Sequence, residues 1–231
     1  MYGSWVLLLI LFLSSLPVIA VYVWYRIAKY PFTLVQFLFA LLAGAAGFFP
    51  ALILQDLLNF SFAERGRMEM FYHVFVRIAF TEEFSRLLML FIFFWISNRL
   101  ASGENPLSFN VLKKATATGL VAGLGFALLE SAVYASADTS VLILRAVTAA
   151  PLHAACGSRI GAAAVLLRTN PFQAFLRILT ATAIHGIYNF MVIIPGFPSV
   201  MAILIALSAF ASSVLVIRGS WTEPAEDTSN P

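Results

Sequence analysis

The stretch RIAFTEEFSRLLMLFIFFW, residues 77–95, decides how this chain is read. Most of it is Ile, Ala, Phe, Leu, Met and Trp, the material of a helix made for lipid. Yet Glu82 and Glu83 stand side by side within it, and Arg86 follows inside one helical turn. Ionisable side chains are expensive in hydrocarbon, so they face a bundle interior or a water-filled cavity. A helix that carries three of them needs neighbours.

The rest of the chain supplies them. Hydrophobic residues fill 61% of the 231 positions and charged residues 11%, against about 25% charged in soluble domains. Candidate spans of the ~20 residues needed to cross a bilayer lie at about 5–25, 32–55, 71–97, 116–136, 141–167, 172–194 and 198–218. The expectation is an all-α fold, a multi-pass transmembrane helical bundle of about seven spans. Residues 1–218 then form one polytopic domain, and the polar, acidic residues 219–231 a short disordered cytoplasmic tail.

The net charge of +3 comes without a basic cluster, so the expected partner is the lipid bilayer and not nucleic acid. The single cysteine, Cys156, excludes an intrachain disulfide and any Cys-based metal cluster. The first apolar run lacks a basic leader and is too long for a signal sequence, so it reads as a retained span. Arg26, Lys29, Arg99, Lys113, Lys114, Arg168 and Arg218 fall on alternate connections. The positive-inside rule assigns those to the cytoplasm, with the N-terminus outside and the C-terminus inside. Arg65 and Arg67 are a modest exception.

Spans three to six carry the buried ionisable groups and form the expected active-site core. Span three has Arg77, Glu82, Glu83 and Arg86; span four has Glu130; span five has Arg145, His153 and Arg159; span six has His185 and Asn189. Spans one, two and seven have none in their interiors and read as lipid-facing scaffold. Arg86 can reach Glu82 at i,i+4 or Glu83 at i,i+3. Gly119 and Gly123 extend the Glu130 face of span four, and Gly157 and Gly161 extend the His153 face of span five. Small-residue stripes of this kind let helices pack closely. At ~1.5 Å of rise per residue, Glu82, Glu130, His153 and His185 all fall near the midplane or in the outer half.

Two histidines and three glutamates without cysteine suit a divalent metal such as zinc. The expected ligands are Glu130, His153 and His185. Glu82 or Glu83 would then serve as general base toward a water acidified by the metal. Asn189 and Arg86 would donate to the oxyanion formed when water adds to a peptide carbonyl. A metal-free form, in which a buried glutamate activates water alone, fits the same residues. His73 reads as interfacial, Arg145 and Arg159 as structural neutralisers of acidic partners, and Cys156 as a small packing residue.

EEFSR at 82–86, FALLE at 126–130, HAACG at 153–157 and HGIYN at 185–189 resemble the four ordered motifs of PrsW-type intramembrane proteases, distant relatives of the CAAX prenyl endopeptidases. The resemblance covers spans three to six, about half the chain. It implies a bacterial plasma-membrane endopeptidase with Glu82, Glu83, Glu130, His153 and His185 in its site. It also implies a membrane protein substrate, an anti-sigma-factor-like regulator among the possibilities. Position 86 departs from the pattern, with Arg where the founding subgroup has Lys, and no extracytoplasmic domain is expected. The rival expectation is a proton- or cation-coupled transporter that uses the same Glu/His cluster as a relay. Transporters often carry internal repeats, and none is evident.

Overall fold

A computed structural model describes residues 4–60, 66–100, 109–137, 141–193 and 199–219. Those residues are helical with short connections and contain no strand. The order is α1 (Ser4–Ile27), α2 (Leu34–Ala46), α3 (Phe48–Leu57), α4 (Arg67–Phe71), a π-helical segment (Tyr72–Phe80), α5 (Thr81–Leu100), α6 (Phe109–Ala137), α7 (Val141–Val147), α8 (Ala149–Leu166), α9 (Pro171–Ile193) and α10 (Ser199–Gly219). The expected tail beyond Gly219 lies outside the described residues.

Among the described residues, four stretches are long and apolar enough to cross a membrane: Leu34–Leu57, Val111–Tyr134, Pro171–Ile193 and Val200–Arg218. They correspond to expected spans two, four, six and seven. The first expected span lies within α1 (Ser4–Ile27); spans three and five differ for physical reasons. The third span is a π-helical segment feeding α5, whose first turn carries Glu82 and Glu83.

The fifth span is two helices, and proline explains the break. Pro151 sits in the first turn of α8, where its missing N–H is tolerated, but its ring excludes the carbonyl four residues earlier. That residue is Val147, the last of α7. Pro50 acts the same way on Ala46, the last residue of α2. Thr148 covers the α7–α8 break: its Oγ1 donates to the Leu144 carbonyl at 2.7 Å and accepts from Tyr188 Oη at 2.9 Å.

Helix ends follow local chemistry. Thr33 opens α2 with a capping box, in which its Oγ1 accepts from the Gln36 N–H at 3.2 Å and its N–H donates to Gln36 Oε1 at 3.0 Å. Lys29 closes α1 in a left-handed conformation, φ 53°. The Tyr30 N–H reaches the Tyr25 carbonyl at 2.9 Å and the Lys29 N–H reaches that of Arg26 at 3.2 Å. These bonds, with the Tyr25 and Tyr30 rings 5.1 Å apart, complete a Schellman motif.

The bundle is arranged around α8. Nearly all of its side chains are buried, and α5, α6, α9 and α10 all pack on it. The closest partner is α6, of whose span 72% is buried, against 33%, 22% and 28% for the other three. The two expected glycine stripes face each other there. A Cβ on Gly119 would stand 2.1 Å from the Gly157 carbonyl oxygen, and one on Gly157 would stand 2.3 Å from that of Gly119. One on Gly123 would stand 2.0 Å from the His153 carbonyl. No side chain fits at such distances, so the backbones touch, and His153 is carried up to the helix that bears Glu130. On its other side α6 meets α2 the same way: Gly44 lies against the Ala122 carbonyl and Gly125 against that of Leu41.

Candidate active site

The π-helical segment delivers the paired glutamates. Thr81 Oγ1 donates to the carbonyls of Arg77 (2.6 Å) and Ile78 (3.0 Å) where the π turn gives way to α5. Such segments recur at functional sites. Glu82, Glu83 and Arg86 then point inward and are buried, while Phe84 and Leu88 lie exposed on the opposite face.

Arg86 chooses Glu83 over Glu82. Its Nη1 donates to Glu83 Oε2 at 2.6 Å, both groups fully buried. Its Nη2 meets His153 Nδ1 at 3.1 Å, and its guanidinium lies 4.5 Å over the Phe126 ring. Glu83 Oε1 meets His185 Nδ1 at 2.8 Å. His153 Nε2 meets Glu130 Oε2 at 2.7 Å. Glu130 in turn bonds Arg145, which also donates from Nε to Ser131 Oγ at 3.3 Å and stacks over Tyr134. One continuous chain of polar groups therefore runs His185, Glu83, Arg86, His153, Glu130, Arg145. The two imidazoles sit edge to face at 4.9 Å.

Glu82 stands apart from that chain. Its Oε1 accepts from Gln55 Nε2 at 3.1 Å. Its Oε2 is buried with no hydrogen-bond partner, 3.7 Å from His185 Nε2. Each of the other carboxylates has a guanidinium; Glu82 has none among the described residues.

The structure brings Glu82, Glu83, Arg86, Glu130, His153 and His185 together. Asn189 lies one turn past His185, half-buried, with no side-chain hydrogen bond among the described residues. The side chains that converge as a possible metal site are Glu82, His153 and His185, whose ligand atoms all lie within 4.8 Å of one another. Glu130, expected as a ligand, is not in that group. The chemistry fits a cation at two of the three atoms as they stand: the orphaned Glu82 Oε2, and His185 Nε2, whose other nitrogen is held by Glu83. A carboxylate behind a histidine is the usual way to fix an imidazole for a metal. His153, the third, is committed through both ring nitrogens, to Arg86 and to Glu130.

Two expectations, for Arg159 and for span two, need correction. Arg159 forms no ion pair with an acid among the described residues: it donates to the Ala155 carbonyl and to Ser212 and Ser213 of α10. Arg77 approaches neither glutamate; it holds the Gln55 carbonyl at 2.8 Å and His73 Nδ1 at 3.3 Å. Span two is more than scaffold, because Gln55 reaches Glu82. The sequence signal for Gln55 is slight, one polar residue near the end of the run ALILQDLL. Cys156 is buried beside the Ala181 carbonyl, a packing position.

The sequence profile of the PrsW family intramembrane metalloproteases matches residues 31–217. This chain belongs to that family. No curated protein and no solved structure matches it. The matched residues run from before α2 into α10 and contain every residue of the polar chain. PrsW membership supports intramembrane endopeptidase activity and disfavours the transporter. It also agrees with the possible Glu/His/His metal site found from the geometry.

Proposed function

We propose that this protein hydrolyses a peptide bond of a membrane-embedded or membrane-proximal protein, using a metal held by Glu82, His153 and His185. One observation carries the reading: Glu82 Oε2 is buried, unpartnered and without a guanidinium, 3.7 Å from His185 Nε2. A buried carboxylate in that state calls for a cation or a proton. One carboxylate oxygen and two imidazoles, with no thiolate, suit zinc. Bound there, zinc would supply Lewis acidity and bring the pKa of a water to about 7.

The chain's own groups do the remainder. Glu83 holds His185 Nδ1–H and turns the Nε2 lone pair toward Glu82. Arg86 neutralises Glu83. Glu130 is the most open of the three carboxylates, with 13% of its side chain exposed, and it takes the proton from the attacking water. Arg145 fixes its orientation. Asn189, uncommitted in the protein, donates to the oxygen of the substrate carbonyl. In this reading Glu82 and Glu130 exchange the roles first expected of them.

A second reading rests on Arg86. Its donation to His153 Nδ1 leaves the ring proton on Nε2, facing Glu130, so His153 as it stands offers no lone pair. A metal-free form then works with Glu82 as the base. Elemental analysis and cleavage assays on purified protein separate the two. Expected are stoichiometric zinc in wild type and Glu130→Gln, its loss in His185→Ala and Glu82→Ala, and cleavage lost in all three variants. For Glu130→Gln the loss is about 10²–10⁴-fold, the usual worth of an acid–base group. Active wild type without metal selects the glutamate form. Normal cleavage by Glu82→Ala and His185→Ala sinks both.

We also infer seven crossings in a bacterial plasma membrane, with the N-terminus outside. The basic connections support this, because Tyr30 Oη bonds the Lys113 carbonyl at 3.4 Å and so joins two of them at one end of the bundle. Thiol labelling of cysteines placed at position 29 and at position 60 tests it: only the latter should react from outside. An anti-sigma-factor-like substrate is the finer expectation, tested by cleavage of such a regulator in the same membrane.

A further inference from the structure

Hydroxyls within the helices of this protein mostly bond their own backbone. Thr81, Thr116, Thr118, Thr148, Thr180 and Ser213 each donate to the carbonyl four residues back, the usual way to satisfy a hydroxyl inside a helix. Ser14 on α1 departs from that pattern. Its side chain is buried, and its Oγ has no hydrogen-bond partner. A buried hydroxyl left in that state is costly. Ser14 also stands in the wall of a cavity.

The cavity lies where α1, α6, α7 and α8 meet. Ser14 and Pro17 of α1, Leu124 and Ser131 of α6, Ala146 of α7 and Ala150 of α8 line it, and its volume is about 10 Å³. One water needs about 10–15 Å³ of such space and roughly two to four polar partners. Ser131 offers a second hydroxyl. Its Oγ accepts from Arg145 Nε at 3.3 Å, and its own proton reaches no acceptor among the described residues. Pro17 has no N–H for the Leu13 carbonyl, so this turn of α1 carries a spare acceptor as well. A space lined by apolar groups alone stays dry; this one has a hydroxyl from each of two helices.

We propose that this cavity binds one water molecule, which accepts from the Ser131 hydroxyl and bonds the Ser14 hydroxyl across the α1–α6 contact. The water lengthens the polar chain by one helix. Glu130 bonds Arg145, Arg145 donates to Ser131, and Ser131 reaches α1 through the water. Span one, expected as lipid-facing scaffold, thereby braces the arginine that orients Glu130. The water site stands on the cavity and its two hydroxyls, so it holds whichever chemistry Glu130 performs.

The test uses the full chain in detergent. X-ray hydroxyl-radical footprinting makes radicals from bound water, and these oxidise the residues around it. Leu124 should be oxidised in wild type, while Leu120, also buried but outside the cavity, should not. Ser14→Ala should lower Tm by about 2–4 °C, the equivalent of one net hydrogen bond in a chain of this size. A dry cavity gives the opposite sign, because Ser14→Ala then only removes an orphaned hydroxyl. Ser131→Ala should lower Tm too, and the double variant should lose less than the two singles together, since both hydroxyls hold the same water. Oxidation of Leu124 no greater than that of Leu120 overturns the proposal, as does a Tm for Ser14→Ala at or above wild type. Additive losses put the two hydroxyls on separate partners and overturn it as well. The footprint is read on wild type, so it stays decisive even if a variant fails to fold.

Discussion

At the scale of single residues, the interior of this protein is an arrangement of charges that depend on one another. Glu83 and Arg86 are both fully buried and 2.6 Å apart. Removing one partner of such a pair costs about 3–5 kcal/mol, because the other is left buried and uncompensated, whereas replacing both is often close to neutral. Arg86→Met should therefore be markedly less stable than the double variant Glu83→Gln/Arg86→Met. Thermal unfolding in detergent measures this; additive losses would refute the pairing. Gln55 acts more quietly. Its amide fixes one Glu82 oxygen and leaves the other facing His185. Groups that orient a ligand typically matter 10–100-fold in metal affinity or activity, so Gln55→Leu should lower zinc affinity by about that factor without unfolding the chain. That the glutamates and histidines gather in the interior was legible from residue types placed in the wrong solvent; which glutamate joins the two histidines was not. The choice of Glu83 over Glu82 was not, since both spacings allow a bond to Arg86 and only the surrounding histidines decide. Gln55 was hidden because a lone amide near the end of an apolar run looks like any interfacial residue.

At the scale of elements, two contacts position the site. The first is the glycine seam of α6 and α8. Gly157→Ala puts a methyl group 2.3 Å from the Gly119 carbonyl oxygen, where only backbone movement can relieve it. Overpacking of this kind costs about 1–3 kcal/mol, and here it also pushes His153 away from Glu130. Tm and cleavage should fall together. Gly66→Ala, with nothing within 4 Å of the added methyl, is the control and should change neither. This seam was legible, because small residues spaced four apart read the same on a page and in a helix. The second contact is the π-helical segment Tyr72–Phe80, which no periodicity announces. It sets the rotational phase in which Glu82 and Glu83 begin α5. The broken fifth span was readable in principle, since Pro151 forbids the helix to continue through Val147.

At the scale of the whole molecule, stability is graded from the centre outward. The axis is α8, sheathed by four other helices, while α4 has no buried residue. Amide exchange should be slowest in α8 and the adjoining part of α6 and fast in α4, as opening energy follows burial. Mass-spectrometric exchange in detergent checks this, and fast exchange in α8 would mean that the bundle is not built around it. Composition alone made the helical, membrane-embedded class plain, whereas Arg159 with the α10 serines depends on which helices end up adjacent. The closeness of α6 and α8 also restricts traffic. A polypeptide needs about 4.7–4.9 Å beside another backbone even when the two are hydrogen-bonded as strands, and this seam leaves no width at all. A substrate segment is thus barred from sliding between those two helices. Beyond that seam the most exposed charged groups of the candidate site are Glu130 and Arg145, locked to each other beside the exposed ring of Tyr134.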